Sequence, residues 1–398
     1  MSIAAPAKFR DPRLDFFRGL SLFIILVSHT RSDWLANWIP ARFGFSDAAN
    51  MFVFVSGYAV GLAFGGVYRR HGWRLGTARI GYRVWQLYMA QLCIVMLIAA
   101  LAIASDRVLG AEDDHVALMS LDYLFGDPRP ALLGIATLTY VPHYLDILPI
   151  YIVVLLMVPA AVALSKLHRW TVPVLSVLLW VLARHFEWNL PTEPGEPQGW
   201  FFDPLCWQLL FFSGFSLSMK WVRPPPADRR IFVLAAAFLV FGVAMTVPAI
   251  FQTMPGFADG EAWILDHADK TMLDPLQYLH FIALAYVAVY LLRGRFYLIE
   301  NSLARPITRC GQQSLSVFLS GIVLAYVGGM AFDRLGDEFW AQLLINAVMF
   351  GATFAVVEIV TWYKSAPWTK APVRAAETYP ELKEIGAGST VLSAVEPH

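Results

Sequence analysis

The sequence predicts an all-α integral membrane protein in which about ten transmembrane helices form one bundle. Hydrophobic residues make up 58% of the 398 residues and the mean hydropathy is +0.55, whereas soluble domains are about 45–50% apolar. Ten apolar segments are each close to the roughly 20 residues that a membrane span requires, the fifth and sixth being the shortest. Basic residues are concentrated in alternate loops, as in polytopic membrane proteins.

The predicted spans follow one another from near the N-terminus, and a long connection separates the third span from the fourth. The first span imitates a signal peptide, but it contains Arg18 and lacks an A-x-A cleavage pattern, so we interpret it as uncleaved. The predicted spans are residues 14–34, 46–66, 81–104, 147–165, 171–185, 204–219, 231–251, 276–293, 310–332 and 339–362.

The basic residues predict the orientation. One set of alternate loops and the two ends hold 22 of the Lys and Arg residues, and the opposite loops hold seven. Because basic loops stay in the cytoplasm, both termini are predicted to be cytoplasmic. Residues 1–364 then form the membrane domain, and residues 365–398 form a polar cytoplasmic tail that we predict to be disordered. In the outer 105–146 connection, the apolar run 131–141 is too short to span and is predicted to lie in the interface.

Composition excludes several kinds of site. The three cysteines lie in or beside apolar segments without CxxC spacing or histidine partners, so neither a disulfide framework nor a metal site is indicated. We find no glycine-rich phosphate loop, no nucleic-acid signature and no soluble catalytic domain. We therefore expect no permanently bound cofactor and no nucleic-acid partner, and any chemistry is predicted to occur inside the bundle.

The first span carries three ionisable residues, Asp15, Arg18 and His29. Arg18 and His29 are eleven residues apart, which returns them to the same helix face within about 20° at an axial separation of about 16 Å. Asp15 is three residues before Arg18 and can pair with it. One interpretation is a snorkelling arginine and a satisfied histidine at a helix end. The other is the wall of an active site, because ionisable groups at membrane depth usually have a function.

Asp47 begins the second span on the predicted outer side, near the level of His29. It suits the first turn of a helix, where an acidic residue complements the dipole and Ser46 can act as a cap. It is also a candidate to orient His29 and to stabilise an imidazolium, as carboxylates do for catalytic histidines. Asp33, one turn beyond His29, competes for this role.

Further polar residues gather at the predicted outer ends of later spans. They are typical either of an aromatic belt with helix caps or of a sugar site, where rings stack on pyranose faces and carboxylates accept hydroxyl groups. The candidate acceptor-binding residues are Tyr140, His143, Asp146, Tyr151, Asp203, Trp207, Asp269, Lys270 and His280. At the cytoplasmic end of the ninth span, Gln312 and Ser314 either join helices by hydrogen bonds or contact a cytosolic co-substrate.

Several blocks of this sequence resemble those of the OpgC family, membrane succinyltransferases of osmoregulated periplasmic glucans. The similarity extends through the tenth predicted span and excludes the tail. The blocks are residues 10–20 (RDPRLDFFRGL), 43–49 (FGFSDAA), 52–58 (FVFVSGY), 145–151 (LDILPIY), Asp203-Pro204 with Trp207-Gln208, 269–271 (DKT), His280-Phe281 and 311–315 (GQQSL).

The OpgC family is similar to the acyltransferase-3 superfamily, in which an arginine, ten residues and a histidine are essential. Arg18 and His29 fit that spacing. The resemblance implies an enzyme of the bacterial inner membrane that moves an acyl group, succinyl above all, from cytosolic acyl-CoA to hydroxyls of a periplasmic glucan. It also leads us to look for association with glucan-synthesis proteins. One departure is Asp203, where the family usually has asparagine, and this puts the acceptor site in doubt.

We therefore expect His29 to act as a general base in direct transfer, with Asp47 or Asp33 orienting its ring. Donor-binding residues are predicted to be Arg18, Asp15, Gln312 and Ser314. An acyl-histidine intermediate is a second route. Other functions are also consistent with ten spans and buried polar residues: a transporter or flippase, an O-acetyltransferase of another surface polysaccharide, and a passive scaffold for glucan synthesis.

Overall fold

The computed structural model describes residues 11–108, 114–192, 199–247 and 270–369, and the regular secondary structure within these ranges is helical throughout. In chain order the helices are α1 (Pro12–His29), α2 (Ala48–Ile103), α3 (His115–Leu118), α4 (Asp122–Gly126), α5 (Pro128–Thr137), α6 (Ile147–Leu164), α7 (Thr171–His185), α8 (Pro204–Ser218), α9 (Arg229–Thr246), α10 (Pro275–Leu292), α11 (Tyr297–Glu300), α12 (Ala304–Gln312), α13 (Ser314–Leu335) and α14 (Phe339–Lys364).

Six of the described helices are long and apolar enough to cross a bilayer: α2, α6, α9, α10, α13 and α14. Helix α7 is also apolar but has only 15 residues. The prediction of an all-helical membrane protein is therefore confirmed for the described part of the chain. The number of ten spans and the cytoplasmic position of both termini stay predictions.

Aspartate caps determine where many of these helices begin. Asp11, Asp47, Asp203, Asp228 and Asp274 precede α1, α2, α8, α9 and α10, and each side chain accepts a backbone N–H of the first turn. Such caps satisfy donors that have no partner within the helix. In α1, α8 and α10 a proline follows directly, where its missing N–H costs nothing.

Helix α2 contains two of the predicted spans in one run of 56 residues. Its helical geometry is interrupted at Gly72, whose φ of 77° and ψ of 177° lie outside the helical region. Glycine adopts such a conformation without a steric penalty. Beyond the break, Thr77 approaches Tyr68, and their hydroxyls are 3.4 Å apart. The chain thus turns at Gly72 and the predicted spans 46–66 and 81–104 lie on either side of it.

The centre of the bundle is formed by α2, which packs against α1, α6 and α8. Large side chains of α8, among them Trp207, Phe211 and Phe215, are completely buried there. Helices α9 and α10 pack against each other and leave apolar side chains such as Leu234 and Val289 exposed. An apolar outer surface of this kind suits contact with lipid.

Candidate functional site

Helix α1 carries both the arginine and the histidine of the first predicted span on one continuous helix. A guanidinium nitrogen of Arg18 lies 3.9 Å from a carboxylate oxygen of Asp15, the residue three positions earlier, and both side chains are largely buried. His29 is the last residue of the helix. The structure therefore places a buried ion pair near one end of α1 and an imidazole at the other.

Arg18 lines a partly open cavity of about 140 Å³. A second arginine, Arg83 from the part of α2 beyond Gly72, lines the same cavity together with Tyr151 of α6. Both guanidinium groups interact electrostatically with the Tyr151 hydroxyl. Ser56 and Ser314 add two further hydroxyl groups to walls that are otherwise apolar. Two cations and several hydroxyl donors in one enclosure are the groups that bind phosphate or carboxylate oxygens.

The position of Arg18 depends on the close packing of α1 against α12. A Cβ atom added to Gly19 would collide with the backbone of Ile307, and one added to Gly311 would collide with the backbone of Asp15. Small residues allow membrane helices to approach this closely. Gln313 has non-helical geometry between α12 and α13, and this break brings Ser314 to the wall of the cavity.

The ring of His29 is oriented by the backbone of its own helix. Its Nδ1–H donates to the carbonyl oxygen of Ile25 at 2.7 Å, and the Ser28 hydroxyl lies 2.9 Å from the same nitrogen. A carbonyl oxygen can only accept, so the proton of the neutral ring is on Nδ1 and Nε2 carries the lone pair. The tautomer required of a general base acting through Nε2 is therefore fixed.

Tyr144 packs edge-on against His29, with 4.8 Å between the ring centroids. Tyr144 is half exposed, and its backbone has a φ of 65°, in the left-handed region that non-glycine residues seldom adopt. Strained backbone of this kind is often found at functional sites. The sequence showed this tyrosine at the membrane boundary but gave no reason to choose it over Tyr140.

Asp47 does not have the hydrogen bond to His29 that the sequence led us to expect. One of its oxygens accepts the N–H groups of Ala49 and Asn50 as the cap of α2, and the other lies 3.0 Å from Nζ of Lys270. Asp47 remains close enough to interact electrostatically with a charged His29 ring. Asp33 is engaged elsewhere, because it accepts from Leu35 and from Asn346. In the described structure the orienting partner of the ring is Ile25 instead.

Three of the predicted acceptor residues are buried and form hydrogen bonds with backbone groups of the protein. Tyr140 is 2% exposed and donates to the carbonyl of Ser120 at 2.5 Å. Trp207 is fully buried and donates to the carbonyl of Lys270 at 2.8 Å. Asp203 is fully buried as the cap of α8, and this burial raises the pKa of its carboxyl group although the bonds from the cap N–H groups oppose the shift. Each of these side chains is bonded to the backbone of the protein itself, and their predicted role in binding the acceptor stays a prediction.

The other candidates are dispersed. Tyr151 lines the Arg18 cavity rather than the surroundings of His29, and His280 is buried with its Nδ1 2.8 Å from the Ser46 hydroxyl. His143 is exposed with its Nε2 3.0 Å from the Ser120 hydroxyl. Asp146 is half-buried at the start of α6, and Gln312 is exposed and does not line the cavity. Asp269 and most of the predicted tail lie outside the described residues.

A second cavity, of about 330 Å³, lies at the C-terminal end of α7. Its walls are formed by Trp180, Val181, Arg184, His185 and Met272. Arg184 is 3.2 Å from a carboxylate oxygen of Asp274, and its guanidinium lies over the Trp180 ring. The short segment 270–274 therefore connects this cavity to Lys270 and so to Asp47. The sequence alone gave no signal for this cavity.

The Arg18 cavity and His29 are separate in this structure. Leu22 and Ile25 lie between Arg18 and His29 on the same face of α1, and both are about 95% buried in the core. His29 is not among the residues that line the cavity. A ligand held by Arg18 can thus reach His29 only if the side chains around Leu22 and Ile25 move.

Together these features define a class, a polytopic helical membrane protein with charged and polar groups enclosed in its bundle. A family model described as OpgC protein matches residues 10–365, nearly the whole chain. The chain belongs to the OpgC protein family, and the family resemblance of the sequence is confirmed. Membership indicates a membrane acyltransferase-like role, while the relation to the acyltransferase-3 superfamily stays a prediction. A search of curated proteins and a search of solved structures each returned no match.

Proposed function

We propose that this protein is an inner-membrane O-acyltransferase that moves an acyl group, succinyl above all, from cytosolic acyl-CoA to a hydroxyl of a periplasmic glucan. One observation carries the proposal. A single helix, α1, has in its first half an arginine on the wall of a cavity that Arg83 also lines and, at its end, a histidine with its Nδ1–H bound to Ile25. Family membership supports the acyltransferase class.

The donor is anionic, and the cavity of Arg18 and Arg83 is suited to it. Charge-assisted hydrogen bonds from arginine to phosphate or carboxylate oxygens are about twice as strong as neutral ones. The phosphates of an acyl-CoA and the free carboxylate of a succinyl chain both present such oxygens. Tyr151, Ser56 and Ser314 supply further hydroxyl donors at the same cavity. In the predicted orientation Arg18 lies nearer the cytoplasm, where acyl-CoA is made.

Transfer requires the thioester to move along α1 from the cavity to His29. The axial distance of about 16 Å is comparable to the reach of an extended pantetheine arm. Because Leu22 and Ile25 are buried between the two sites, the arm enters only when the packing there opens.

At His29 the reaction is a nucleophilic substitution at the thioester carbonyl. Nε2 removes the proton of the sugar hydroxyl while its oxygen forms a bond to the carbonyl carbon. The resulting imidazolium is stabilised by the Nδ1–H bond to Ile25 and by the charge of Asp47. As the carbon–sulfur bond breaks, the imidazolium returns its proton to the CoA thiolate. Ester and free thiol are formed, and His29 is neutral again.

The acceptor is proposed to approach on the side of Tyr144 and the Asp47–Lys270 pair. The aromatic ring of Tyr144 can stack on a pyranose face, and the exposed part of Lys270 can donate to hydroxyl groups. The second cavity, with the Trp180 ring and the Arg184 guanidinium, is a suitable place for a neighbouring sugar of a polymer. This arrangement replaces most of the acceptor residues that the sequence suggested.

The proposal is tested with purified protein in vesicles, labelled acyl-CoA and extracted glucan. His29→Ala is expected to lower the rate of label transfer by about 10²–10⁴-fold, the usual contribution of a general base. His71→Ala is the matched control, because His71 is exposed and lies beside the Gly72 break. If His29→Ala, present at normal membrane levels, transfers label at the wild-type rate, the proposed function is wrong.

The same assay separates the transferase from its rivals. A transporter or flippase would move glucan or solute across the vesicle membrane without forming a labelled ester. A scaffold would leave the rates unaffected by changes at Arg18 and His29. Competition between succinyl-CoA and acetyl-CoA identifies the acyl group. The preferred donor is the one that suppresses transfer from the other donor at the lower competitor concentration.

A further inference from the structure

A second cluster of charged groups lies outside the site described above. The ring of His115, in the short helix α3, is 2.8 Å from Asp106 through Nδ1 and 3.0 Å from Asp333 through Nε2. The other oxygen of Asp333 is 3.9 Å from a guanidinium nitrogen of Arg31. His115 is 4% exposed, so water screens the two contacts of its ring only weakly, whereas Arg31 is about half exposed. Four residues from three separate parts of the chain thus form one continuous chain of charges.

The geometry defines the protonation state in which this cluster is complete. Both ring nitrogens of His115 face carboxylate oxygens, and ionised carboxylates only accept hydrogen bonds. The two bonds can form together only when both nitrogens carry protons. Loss of one proton turns one bond into a contact between a lone pair and a carboxylate. The cluster is therefore complete with a doubly protonated ring, whereas a neutral ring keeps one of the two bonds.

Other groups also surround the ring of His115. Tyr326 of α13 donates its hydroxyl hydrogen to the His115 carbonyl at 3.1 Å, and its ring packs against the imidazole. Asp114 caps α3 on the adjacent position. Asp106 also accepts the backbone N–H groups of His115 and Val116, so it holds the start of α3. The carboxylates of Asp106 and Asp333 are thus the acceptors that face the two ring nitrogens.

The cluster is connected to His29 from two sides. Arg31 is two residues beyond His29, and its pairing with Asp333 joins the segment after α1 to α13. On the other side, the segment after α3 holds the tyrosine that packs on His29. The backbone N–H of His143, next to Tyr144, donates to the carbonyl of Met119 at 3.2 Å.

We propose that His115 is a positioning residue that, while doubly protonated, holds the end of α1 and Tyr144 in place around His29. This inference rests on the proposed role of His29 as a general base. The rate of acyl transfer is then expected to fall at both low and high pH. His29 must be neutral to accept a proton, which removes activity in acid. His115 must be charged to keep the site assembled, which removes activity in alkali.

Three variants examine the alkaline loss of the transfer rate. His115→Gln removes the charge, and because a displacement of about 1 Å can cost on the order of 10²-fold, we expect kcat to fall by about that amount at the pH where the wild type is most active and to show no further alkaline loss. His115→Arg keeps a permanent charge and several donors, so transfer is expected to persist into alkali. Asp333→Asn also removes the alkaline loss, because the amide can donate to the lone pair of a neutral ring.

A second measurement does not depend on catalysis. Cysteine is placed at position 144 in a Cys93→Ser background, since Cys93 is exposed whereas Cys206 and Cys310 are buried. The rate of maleimide labelling is compared at each pH between the protein with His115 and the same protein with Asp333→Asn. The ionisation of the thiol is common to both and cancels. We expect labelling to become faster in alkali only where the unaltered cluster is present.

The outcomes separate the two proposals. The positioning role is overturned by two results together. The wild type, His115→Arg and Asp333→Asn lose transfer activity in alkali to the same extent, and the rate of maleimide labelling does not differ with Asp333→Asn. If labelling changes as expected but no vesicle preparation forms an ester, the cluster positions this segment and the transferase proposal fails. If both measurements respond as expected, the inference is supported in full.

Discussion

Two arginines from different helices line one cavity, and the second of them can be changed without altering α1. Arg83→Ala is expected to raise KM for acyl-CoA at least about tenfold, because a hydrogen bond to a charged group contributes about 1.5–3 kcal/mol. The KM for glucan should change little, since Arg83 is on the donor cavity and not beside His29. Arg18→Ala should act in the same direction.

The matched control is Arg70→Ala, because Arg70 is on the same long helix but is exposed and donates to the carbonyl of Gly66. Initial rates at varied acyl-CoA and constant glucan give both constants. Arg83→Lys should recover part of the affinity, because it keeps the charge but loses the paired donors of a guanidinium. An unchanged dependence on acyl-CoA in Arg83→Ala would show that the cavity does not bind the donor.

Among single residues, Arg18 and His29 could be predicted because their spacing along one helix can be read directly from the sequence. The other residues of the site depend on contacts between distant parts of the chain. Arg83 was counted among the basic residues of a loop, although the structure places it on a cavity wall. Tyr144 could not be distinguished from Tyr140, because only the fold exposes the former and buries the latter. The Ile25 carbonyl that orients His29 is a backbone group without any sequence signal.

At the scale of the elements, the packing of α1 against α12 determines where Arg18 lies. Gly311→Ala is expected to destabilise the protein by about 1–3 kcal/mol, because the added Cβ would collide with the backbone of Asp15. Relief of that collision moves α1 away from α12 and takes Arg18 with it. We therefore expect both a lower Tm in detergent and a higher KM for acyl-CoA.

Gly321→Ala is the control for the helix itself. Gly321 is in α13, and a Cβ atom there would meet nothing within 4 Å. In that position alanine should leave Tm unchanged or raise it slightly, because glycine in a helix costs about 0.5–1 kcal/mol relative to alanine. If the two alanine variants melt at the same temperature, then the close contact of α1 and α12 does not contribute to stability.

Most helices were predictable because their ends are encoded locally. The predicted span 171–185 has the bounds of α7. The spans 147–165 and 204–219 end one residue after α6 and α8, and the span 276–293 is shifted by one residue from α10. Aspartate caps and the following prolines account for this agreement. The end of the first span was predicted five residues too late, because Asp33 caps a short 3-10 helix instead of ending α1. The break at Gln313 has no proline or glycine at that position, so the hydropathy pattern did not reveal it.

At the scale of the whole molecule, the function requires the two ends of α1 to face different compartments. The excess of basic residues on one side predicts that the Gly72 turn is cytoplasmic and that His29 is near the periplasm. Arginines on either side of Gly72, among them Arg69, Arg70 and Arg74, are exposed. Their burial in a periplasmic interface would lose the attraction to anionic lipids of the cytoplasmic leaflet.

Labelling of single cysteines tests this orientation independently of catalysis. In the Cys93→Ser background, His71→Cys and Tyr144→Cys place one thiol at the Gly72 turn and one beside His29. An impermeant maleimide added to spheroplasts should label position 144 and leave position 71 unlabelled until the membrane is opened. The reverse pattern would put His29 on the cytosolic side, where a glucan outside the membrane could not reach it. Equal labelling of both positions in spheroplasts would place the Gly72 turn and His29 on the same side, and α1 could then not deliver an acyl group outward.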